Sequence, residues 1–417
     1  MKIPSALYSI ITWICHIIVG AVFISSGFSK SIDVWGTLYK VNDYLSVLGL
    51  QLWPNLILIC VFSLCACEFL IGLFILLGCF RRGSIVAATI VMAFMLPLSL
   101  WIAIANPVSD CGCFGDAFII SNWTTFEKNI IVVVCLCWLL KFNRNTINLI
   151  SPALQWLCFL ASFAFIGFIE VAGYYYQPLI DFRAYPIGSV INDKEDEDSG
   201  SAVSFIYKKD NVEQIFNEED TLPTEDSGWI FVGRIVKDKG DTSNDGHLRI
   251  WTIDTDEDVT DEVLNSQDEQ ILILIPDLKT ISLSTSWQLN SLFDWASEKN
   301  ISVVAIVGST EDNIESWADT AMPNYPIYKS DDTDIKILAR GNPAIVFIQE
   351  GIIIWKSTLR ALATDDFMQL DSTSTPMLFF HDNTRILINT LAIWGIVILS
   401  LMSMTCIARL SKHSKIL

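Results

Sequence analysis

Between Cys158 and Cys406 the sequence contains no cysteine, although the 417-residue chain has eleven cysteines in all. A disulfide framework, a thiolate metal site and a C-x-x-C redox motif are therefore excluded from this long segment. Basic residues are also scarce. Residues 181–384 hold 39 Asp and Glu against 15 Lys and Arg, a net charge of −24, whereas the whole chain carries −19. Such an acidic segment excludes nucleic acid as a partner and argues against docking on anionic lipid.

What the sequence does contain is apolar residues, which make up 52% of the chain and give a mean hydropathy of +0.45. Both values are too high for an ordinary soluble protein and predict membrane spans. Six apolar stretches fit this prediction: Leu7–Gly27, Leu56–Cys79, Ile85–Ala105, Thr125–Leu140, Ala153–Tyr174 and Ile386–Ile407. The first stretch has no small-residue cleavage site after it, so we interpret it as a retained helix followed by a polar loop.

Basic residues between the spans predict the orientation. They cluster between spans two and three, between spans four and five and after span six, at Arg81, Arg82, Lys141, Arg144, Arg409, Lys412 and Lys415. The positive-inside rule places these segments, and with them both termini, in the cytoplasm. Segments 28–54 and 106–124 and the stretch of about 179–384 then lie outside, which in a diderm bacterium is the periplasm. The predicted location is the inner membrane.

Nine of the cysteines lie within or at the ends of the predicted spans, where a small thiol packs well. Cys111 and Cys113 differ, because they lie in the outer loop Asp-Cys-Gly-Cys-Phe-Gly-Asp (residues 110–116), called the Cys loop below. The glycine between them permits a tight bend. A disulfide closing so short a loop is a poor structural staple, and strained, exposed disulfides exchange readily. Redox exchange is the favoured interpretation. Cu(I) or Zn binding, pairing with other thiols and an inert turn stay open.

An ionisable residue, Glu68, lies inside the second predicted span, where a charge is costly and suggests a functional or structural partner. Lys30, just beyond span one, is its expected partner. Glu170, near the outer end of span five, is interpreted as interfacial. Thr124 with Glu127 three residues later forms a capping-box pattern, which predicts a helix start directly after the Cys loop.

The N-terminal 150 residues resemble the DoxX/MauE family of redox-associated membrane proteins, which are four-helix bundles. The matching motifs are Ser26–Lys30, Glu68 with Gly72, Arg81-Arg82 and Asp110–Gly115. The resemblance implies thiol redox chemistry at the outer membrane face. MauE-like proteins are linked to disulfide formation during methylamine dehydrogenase maturation, and DoxX-like proteins to quinone-linked sulfur chemistry. A quinone is therefore a candidate electron acceptor, and no other cofactor is implied.

The acidic segment changes character along its length. Strand-like runs at Val203–Tyr207, Trp229–Val232 and Leu248–Ile253 predict a small β extension. The expected order from 271 onward is then strand 271–275, helix 286–297, strand 301–307, helices 312–320 and 334–338, and a hairpin of 344–348 with 352–355. A proline before the hairpin, Pro343, resembles the cis-proline of thioredoxin-like domains. Where those proteins carry C-x-x-C, residues 276–287 have no cysteine, so this domain exchanges no disulfides by itself.

The predicted fold class is thus a membrane α-helical bundle, with four MauE-like helices plus two further spans, and an α/β thioredoxin-like soluble domain. The predicted parts are the bundle (1–150), a fifth span (151–178), an acidic β-rich extension (179–265), the thioredoxin-like domain (266–362) and a linker with the sixth span and a cytoplasmic tail (363–417).

The favoured function is membrane thiol–disulfide redox at Cys111 and Cys113, supported by Glu68, Lys30 and Pro343, with no metal. Its expected partners are membrane lipid and periplasmic protein thiols or a maturation client. The alternative is a non-catalytic anchor or assembly factor that binds a partner through the cysteine-free domain.

Overall fold

The computed structural model describes residues 5–106, 112–118, 120–142, 148–191, 202–209, 212–217, 230–237, 248–264, 268–362 and 380–414. Cys111, the linker 363–379 and the acidic insertion at 192–200 lie outside these ranges.

The N-terminal part is helical. Its helices are α1 (Ser5–Ile32), α2 (Val34–Val47), α3 (Pro54–Leu77), α4 (Arg81–Ala105), α5 (Asn122–Phe142) and α6 (Gln155–Tyr175), and α11 (Asn383–Ser414) follows near the C-terminus. Among the described residues, five helical segments are long and apolar enough to cross a membrane: Leu7–Ile32, Pro54–Leu77, Arg81–Ala105, Pro152–Tyr175 and Asn383–Ser411. They correspond to five of the six predicted spans.

The fourth predicted span forms a helix, α5, but it is not among these five segments. Its 21 residues make a helix of about 31 Å, close to the thickness of the hydrocarbon core. Since the even number of spans depends on α5, the orientation of the chain stays a prediction.

Segment 28–54, expected as a polar loop, is largely helical. Helix α1 continues to Ile32, so Lys30 lies in its last turn and not beyond the span. Helix α2 follows after Asp33, whose side chain accepts a hydrogen bond from the backbone N–H of Gly36 and caps the helix. Helix α2 was not predicted because it is amphipathic: its polar residues lower the averaged hydropathy of the segment below that of a membrane span.

Helices α1 and α3 pack closely because both carry glycine at the crossing. A methyl group on Gly27 would lie 2.3 Å from the backbone nitrogen of Phe69, and one on Gly72 would lie 2.6 Å from that of Ile24. This close approach brings the end of α1 beside the middle of α3, where Glu68 lies.

A mixed five-stranded sheet forms the core of the C-terminal part, here called the sheet domain (residues 268–362). Its elements are β4 (Glu269–Ile275), α8 (Leu283–Ser297), β5 (Ser302–Val307), α9 (Glu311–Ala321), β6 (Ile327–Lys329), α10 (Asp332–Leu338), β7 (Ala344–Gln349) and β8 (Ile352–Thr358). The strand order is β6-β5-β4-β7-β8, with β4, β5 and β6 parallel and with β7 antiparallel to both of its neighbours. The predicted order of strands and helices from residue 271 to 355 is confirmed, with β6 added. The Asn342–Pro343 peptide bond is cis, as expected.

The β extension differs in detail from its prediction. It forms an antiparallel sheet of order β2-β1-β3, made by β1 (Ala202–Lys209), β2 (Val212–Asn217) and β3 (Ile230–Lys237). Strand β2 was not predicted, and the predicted strand 248–253 makes only isolated bridges at Trp251, to Asp258 and Lys329. A short helix α7 (Thr260–Leu264) follows it.

The end of the sheet domain that carries Pro343 faces the helices. Thr358 at the end of β8 donates its backbone N–H to the carbonyl oxygen of Tyr176, just past α6, at 3.1 Å. The Gln177 side chain donates to the carbonyl oxygen of Arg340 at 2.5 Å and accepts from the Arg340 backbone N–H at 2.9 Å. The loop before β7 is therefore held against the end of the helical part at which α6 ends.

A buried charge cluster joins the segment that follows α6 to strand β8. The ammonium group of Lys356, whose side chain is 1% exposed, lies 3.1 Å from Asp181 Oδ2, and Arg183 Nε donates to Asp181 Oδ1 at 2.6 Å. Although burial raises the pKa of Asp181, Arg183 and Lys356 outweigh it and lower this pKa to about 2. Burial, with the neighbouring Arg183 charge, lowers the pKa of Lys356 to about 7.

Candidate functional site

The predicted partnership of Glu68 and Lys30 is confirmed. The Lys30 ammonium group donates to both carboxylate oxygens of Glu68, at 3.0 Å and 2.8 Å. The two side chains are only 6% and 5% exposed. A buried pair of this geometry satisfies both charges where water is excluded.

A serine connects this ion pair to the Cys loop. The Ser26 hydroxyl lies 2.8 Å from Glu68 Oε2 and 2.7 Å from the backbone carbonyl oxygen of Cys113, and it can donate to either acceptor. Lys30 is also close enough to the Cys113 thiol to interact with it electrostatically. The described part of the Cys loop is thus linked to the buried pair through Ser26, although Cys113 is 87 residues from Ser26 in sequence.

The loop makes the tight bend that the sequence predicted. Gly112 adopts a left-handed conformation with φ of 63°, and the backbone N–H of Gly115 donates to the carbonyl oxygen of Gly112 at 3.1 Å. Residues Gly115–Ala117 continue as a single 3₁₀ turn. Cys113 is half-buried. Because Cys111 lies outside the described residues, the bridge between the two cysteines stays a prediction.

Two lysines border the loop from other helices. The aliphatic stem of Lys40, in α2, lies beside Gly112, where an added methyl group would be 3.2 Å from Cγ. Lys128, in α5, places its ammonium group 4.2 Å from the centre of the Phe114 ring. Positive charge therefore approaches the loop from α1, α2 and α5.

The predicted capping box at Thr124 is wrong by one turn. Helix α5 begins at Asn122, and the Ser121 hydroxyl accepts the hydrogen bond from the backbone N–H of Thr124 at 3.2 Å. The N-terminal cap is therefore Ser121. Serine and threonine are both favoured N-cap residues, so Ser121 and Thr124 were hard to tell apart from the sequence.

The sheet domain reaches the Cys loop through one arginine. Arg340 donates from Nε to Asp33 Oδ2 at 2.9 Å, and its Nη2 pairs with both Asp33 and Asp116 of the loop. Its Nη1 donates to the backbone carbonyl oxygen of Lys336 at 2.9 Å. Burial disfavours the charged guanidinium, but the carboxylates of Asp33 and Asp116 outweigh it and raise the pKa of Arg340 above its usual range.

Pro343 lies in the same segment as Arg340 but not with Lys30 and Glu68. The preceding Asn342 donates to the backbone carbonyl oxygen of Asp277 at 2.7 Å and to Thr280 Oγ1 at 2.6 Å. These contacts tie the cis-proline loop to the short 3₁₀ turn Leu278–Thr280, which follows β4.

Several residues of this site were missed in the sequence. Asp33 and Arg340 were not predicted as site residues, and Ser26 entered only as part of the motif Ser26–Lys30, because the partners that place them in the site are 42 to 307 residues away. Glu170, expected at the interface, is instead buried and accepts a hydrogen bond from the Ser31 hydroxyl at 3.1 Å. Among the described residues, no group of three or more His, Cys, Asp or Glu side chains could hold a metal ion.

Comparison with known proteins gives two matches. Residues 8–142 match the family model of the methylamine utilisation protein MauE, and residues 201–238 match a domain of unknown function, DUF8463. The comparison with curated proteins found no match, and neither did the comparison with solved structures. The family match and the five apolar helices identify a multi-pass membrane protein whose N-terminal part is MauE-like.

Proposed function

We propose that this protein performs thiol–disulfide exchange at the Cys loop, on the periplasmic face of the inner membrane. In the forward step a client thiolate attacks the Cys111–Cys113 disulfide and forms a mixed disulfide. A second client thiolate then releases the loop. The client loses two electrons and two protons and gains a disulfide, while Cys111 and Cys113 become thiols.

One observation carries this proposal: Cys113 is fixed over a buried ion pair. Its carbonyl oxygen lies 2.7 Å from the hydroxyl of Ser26, which also contacts Glu68, and its thiol lies within electrostatic range of Lys30. A nearby ammonium group favours a thiolate, which is the nucleophile in exchange and the better leaving group. A structural turn would not require a buried charge beneath it.

Reoxidation of the two thiols needs a two-electron acceptor, and a membrane quinone is the class we propose. Two open cavities among the described residues, of about 510 and 520 Å³, lie along segments 42–57 and 308–332. Neither cavity is lined by Lys30 or Glu68, so no described residue is assigned to a quinone and no step is derived through it.

The sheet domain is proposed to be thioredoxin-like. The strand order β6-β5-β4-β7-β8, the parallel pairing of β4 with β5 and the cis Asn342–Pro343 bond support this assignment. Without cysteines, such a domain contributes binding and not exchange. Thioredoxin-like domains hold extended peptides beside the cis-proline by strand addition.

A second candidate function, a non-catalytic anchor or assembly factor, is favoured by a different feature. Leu283 and Trp287, one turn apart at the start of α8, are 62% and 52% exposed. Exposed apolar side chains on the helix that follows the Leu278–Thr280 turn fit a surface that holds a partner protein. In this function Cys111 and Cys113 are dispensable.

The experiment is thiol trapping of the full-length protein in native membranes. A mass-tagged maleimide, applied before and after reduction, reports how many loop thiols are oxidised. We expect Cys111 and Cys113 to shift together between free and bridged states as client thiol is added. The double variant Cys111→Ser/Cys113→Ser should lose exchange, while Cys60→Ser/Cys67→Ser, which removes two exposed thiols of α3, should keep it.

Three results decide between the functions. Loop thiols that stay reduced under all conditions refute the redox proposal. Full function of the Cys111→Ser/Cys113→Ser variant supports the anchoring role. Copper or zinc that co-purifies with the protein and is lost from the double variant would show metal binding instead.

A further inference from the structure

We infer that Arg340 is a positioning residue for the Cys loop, so that docking of the sheet domain sets the reactivity of Cys113. This inference rests on the proposed function, because it concerns the same thiol. It assigns a role to the cysteine-free domain: the domain supplies a positive charge beside Asp116 of the loop.

The contacts of Arg340 show that it links two parts of the chain. On one side its backbone is held by Gln177, and its Nη1 donates to the carbonyl oxygen of Lys336 within the sheet domain. On the other side its guanidinium pairs with Asp33, which caps α2, and with Asp116, which belongs to the Cys loop. Arg340 is 5% exposed and the Asp33 side chain 8%, whereas the Asp116 side chain is 28% exposed, so solvent reaches this cluster mainly from the loop side.

The tyrosine beneath Arg340 completes the contact. The guanidinium carbon lies 5.5 Å from the centre of the Tyr39 ring, and the Tyr39 hydroxyl lies 3.3 Å from the carbonyl oxygen of Gly341. A planar guanidinium that is stacked and bonded on two edges has one orientation. It therefore fixes Asp116 relative to Asp33.

The cluster becomes more negative without the arginine. One guanidinium serves two carboxylates, so its removal leaves Asp33 and Asp116 both negative and close together. Asp116 is three residues from Cys113 in a tight turn, within about 10 Å along the chain. Over that distance, near a protein surface, an uncompensated carboxylate disfavours a thiolate.

Among the described residues, charged groups face the loop from several elements, and the test changes only one set of them. They are Lys30 with Glu68 from α1 and α3, Lys40 from α2, Lys128 from α5, and the Asp33–Asp116–Arg340 cluster itself. Substituting Arg340 or Asp116 changes only the last of these sets, so the two variants alter the local charge by one unit in opposite directions.

The test measures the alkylation rate of Cys113 as a function of pH in the full-length protein in native membranes. A Cys111→Ser background keeps Cys113 from forming a bridge with its neighbour. A membrane-impermeant maleimide alkylates outer thiols, and peptide mass spectrometry reports labelling at Cys113. The variants are Arg340→Gln, Arg340→Lys and Asp116→Asn, with Lys329→Gln as the matched control, since Lys329 pairs with Asp256 and Glu311 on the exposed face.

We expect opposite effects from the two neutralising substitutions. Arg340→Gln should slow alkylation at pH 7 by about three- to tenfold and move the midpoint of the rate profile to higher pH, because a positive charge is lost. Asp116→Asn should accelerate alkylation by a similar factor. Because it leaves the Arg340–Asp33 pair intact, its result is independent of whether Arg340→Gln folds. Arg340→Lys should restore most of the rate, and Lys329→Gln should match the parent.

Two outcomes overturn the inference. If Arg340→Gln and Asp116→Asn both accelerate labelling, the cluster only restrains the loop mechanically. If neither variant differs from the parent by more than twofold, Arg340 does not act on Cys113. Because the Cys111→Ser background needs no disulfide, these outcomes are independent of whether the wild-type loop exchanges electrons with a client.

Discussion

The buried pair of Lys30 and Glu68 gives the sharpest stability prediction. Its two salt-bridge hydrogen bonds are 3.0 Å and 2.8 Å long, a third bond links Ser26 to the same carboxylate, and both side chains are about 95% buried. The perturbation is the removal of one partner, by Lys30→Met or Glu68→Leu.

The expected magnitude follows from the uncompensated charge. Removing either partner leaves the other charged and buried between helices, which costs about 3–5 kcal/mol. The double variant Lys30→Met/Glu68→Leu removes both charges and replaces them with apolar groups of similar volume. Such replacements are often neutral or stabilising, so the double variant should lie within about 1–2 kcal/mol of the wild type. The coupling energy between the two positions is then several kcal/mol.

The assay is a double-mutant cycle on the free energy of unfolding of the full-length protein in mild detergent, followed by intrinsic tryptophan fluorescence during denaturant titration. The matched control is Lys329→Met, which removes an ion pair whose lysine is 28% exposed. Solvent screens that pair, so its loss should change the free energy of unfolding little.

The reasoning is refuted if the single variants are no more destabilising than the Lys329 control. That result would mean that water reaches Glu68 and that the pair is not buried. A double variant as destabilised as the singles would also contradict it, because the cost would then come from packing and not from an unpaired charge.

Three further predictions concern stability. Burial and the neighbouring arginine lower the pKa of Lys356 to about 7, so between pH 7 and the ordinary lysine pKa near 10.4 the unfolded chain binds more protons than the folded chain. The free energy of unfolding should therefore rise with pH over this range, and the rise should flatten in Lys356→Met. An unchanged slope in the variant contradicts the assignment. The lowered pKa of Asp181, about 2, predicts stability that is present above pH 4 and lost as pH falls toward 2, which acid titration of the wild type and Asp181→Asn would separate. Gly27→Ala should destabilise the helical part by roughly 2 kcal/mol or more, as overpacking of a core does, because the added methyl group would overlap the backbone of α3. The control Gly83→Ala, whose methyl group meets no atom within 4 Å, should leave thermal unfolding unchanged.

Much of the architecture followed from local pattern. Apolar run length predicted the helices that could cross the membrane, and strand-like runs with turn residues predicted β4, β5, β7 and β8. These features depend on neighbours in sequence, so a single chain reveals them. Amphipathic helix α2 and short strand β6 were missed because three to fourteen residues of mixed polarity give no distinct pattern.

One long-range pair in the site was also predictable. Glu68 had few choices, because a carboxylate within a span needs a cation and Lys30 is the lysine near the end of the first span. The pairing could be inferred because so few cations lie near the predicted span. In the acidic segment, where carboxylates are abundant, the same reasoning could not select a partner for Arg340.

The sequence by itself determined the composition of this protein's parts: a helical membrane region, a Cys-Gly-Cys loop and a sheet domain without thiols. Only the tertiary structure decided that Asp33, Asp116 and Arg340 meet, and that the domain is thereby held on the loop. The physical reason is that helix and strand periodicity is set by residues a few positions apart. An ion pair across 224 or 307 residues depends on how the finished elements pack.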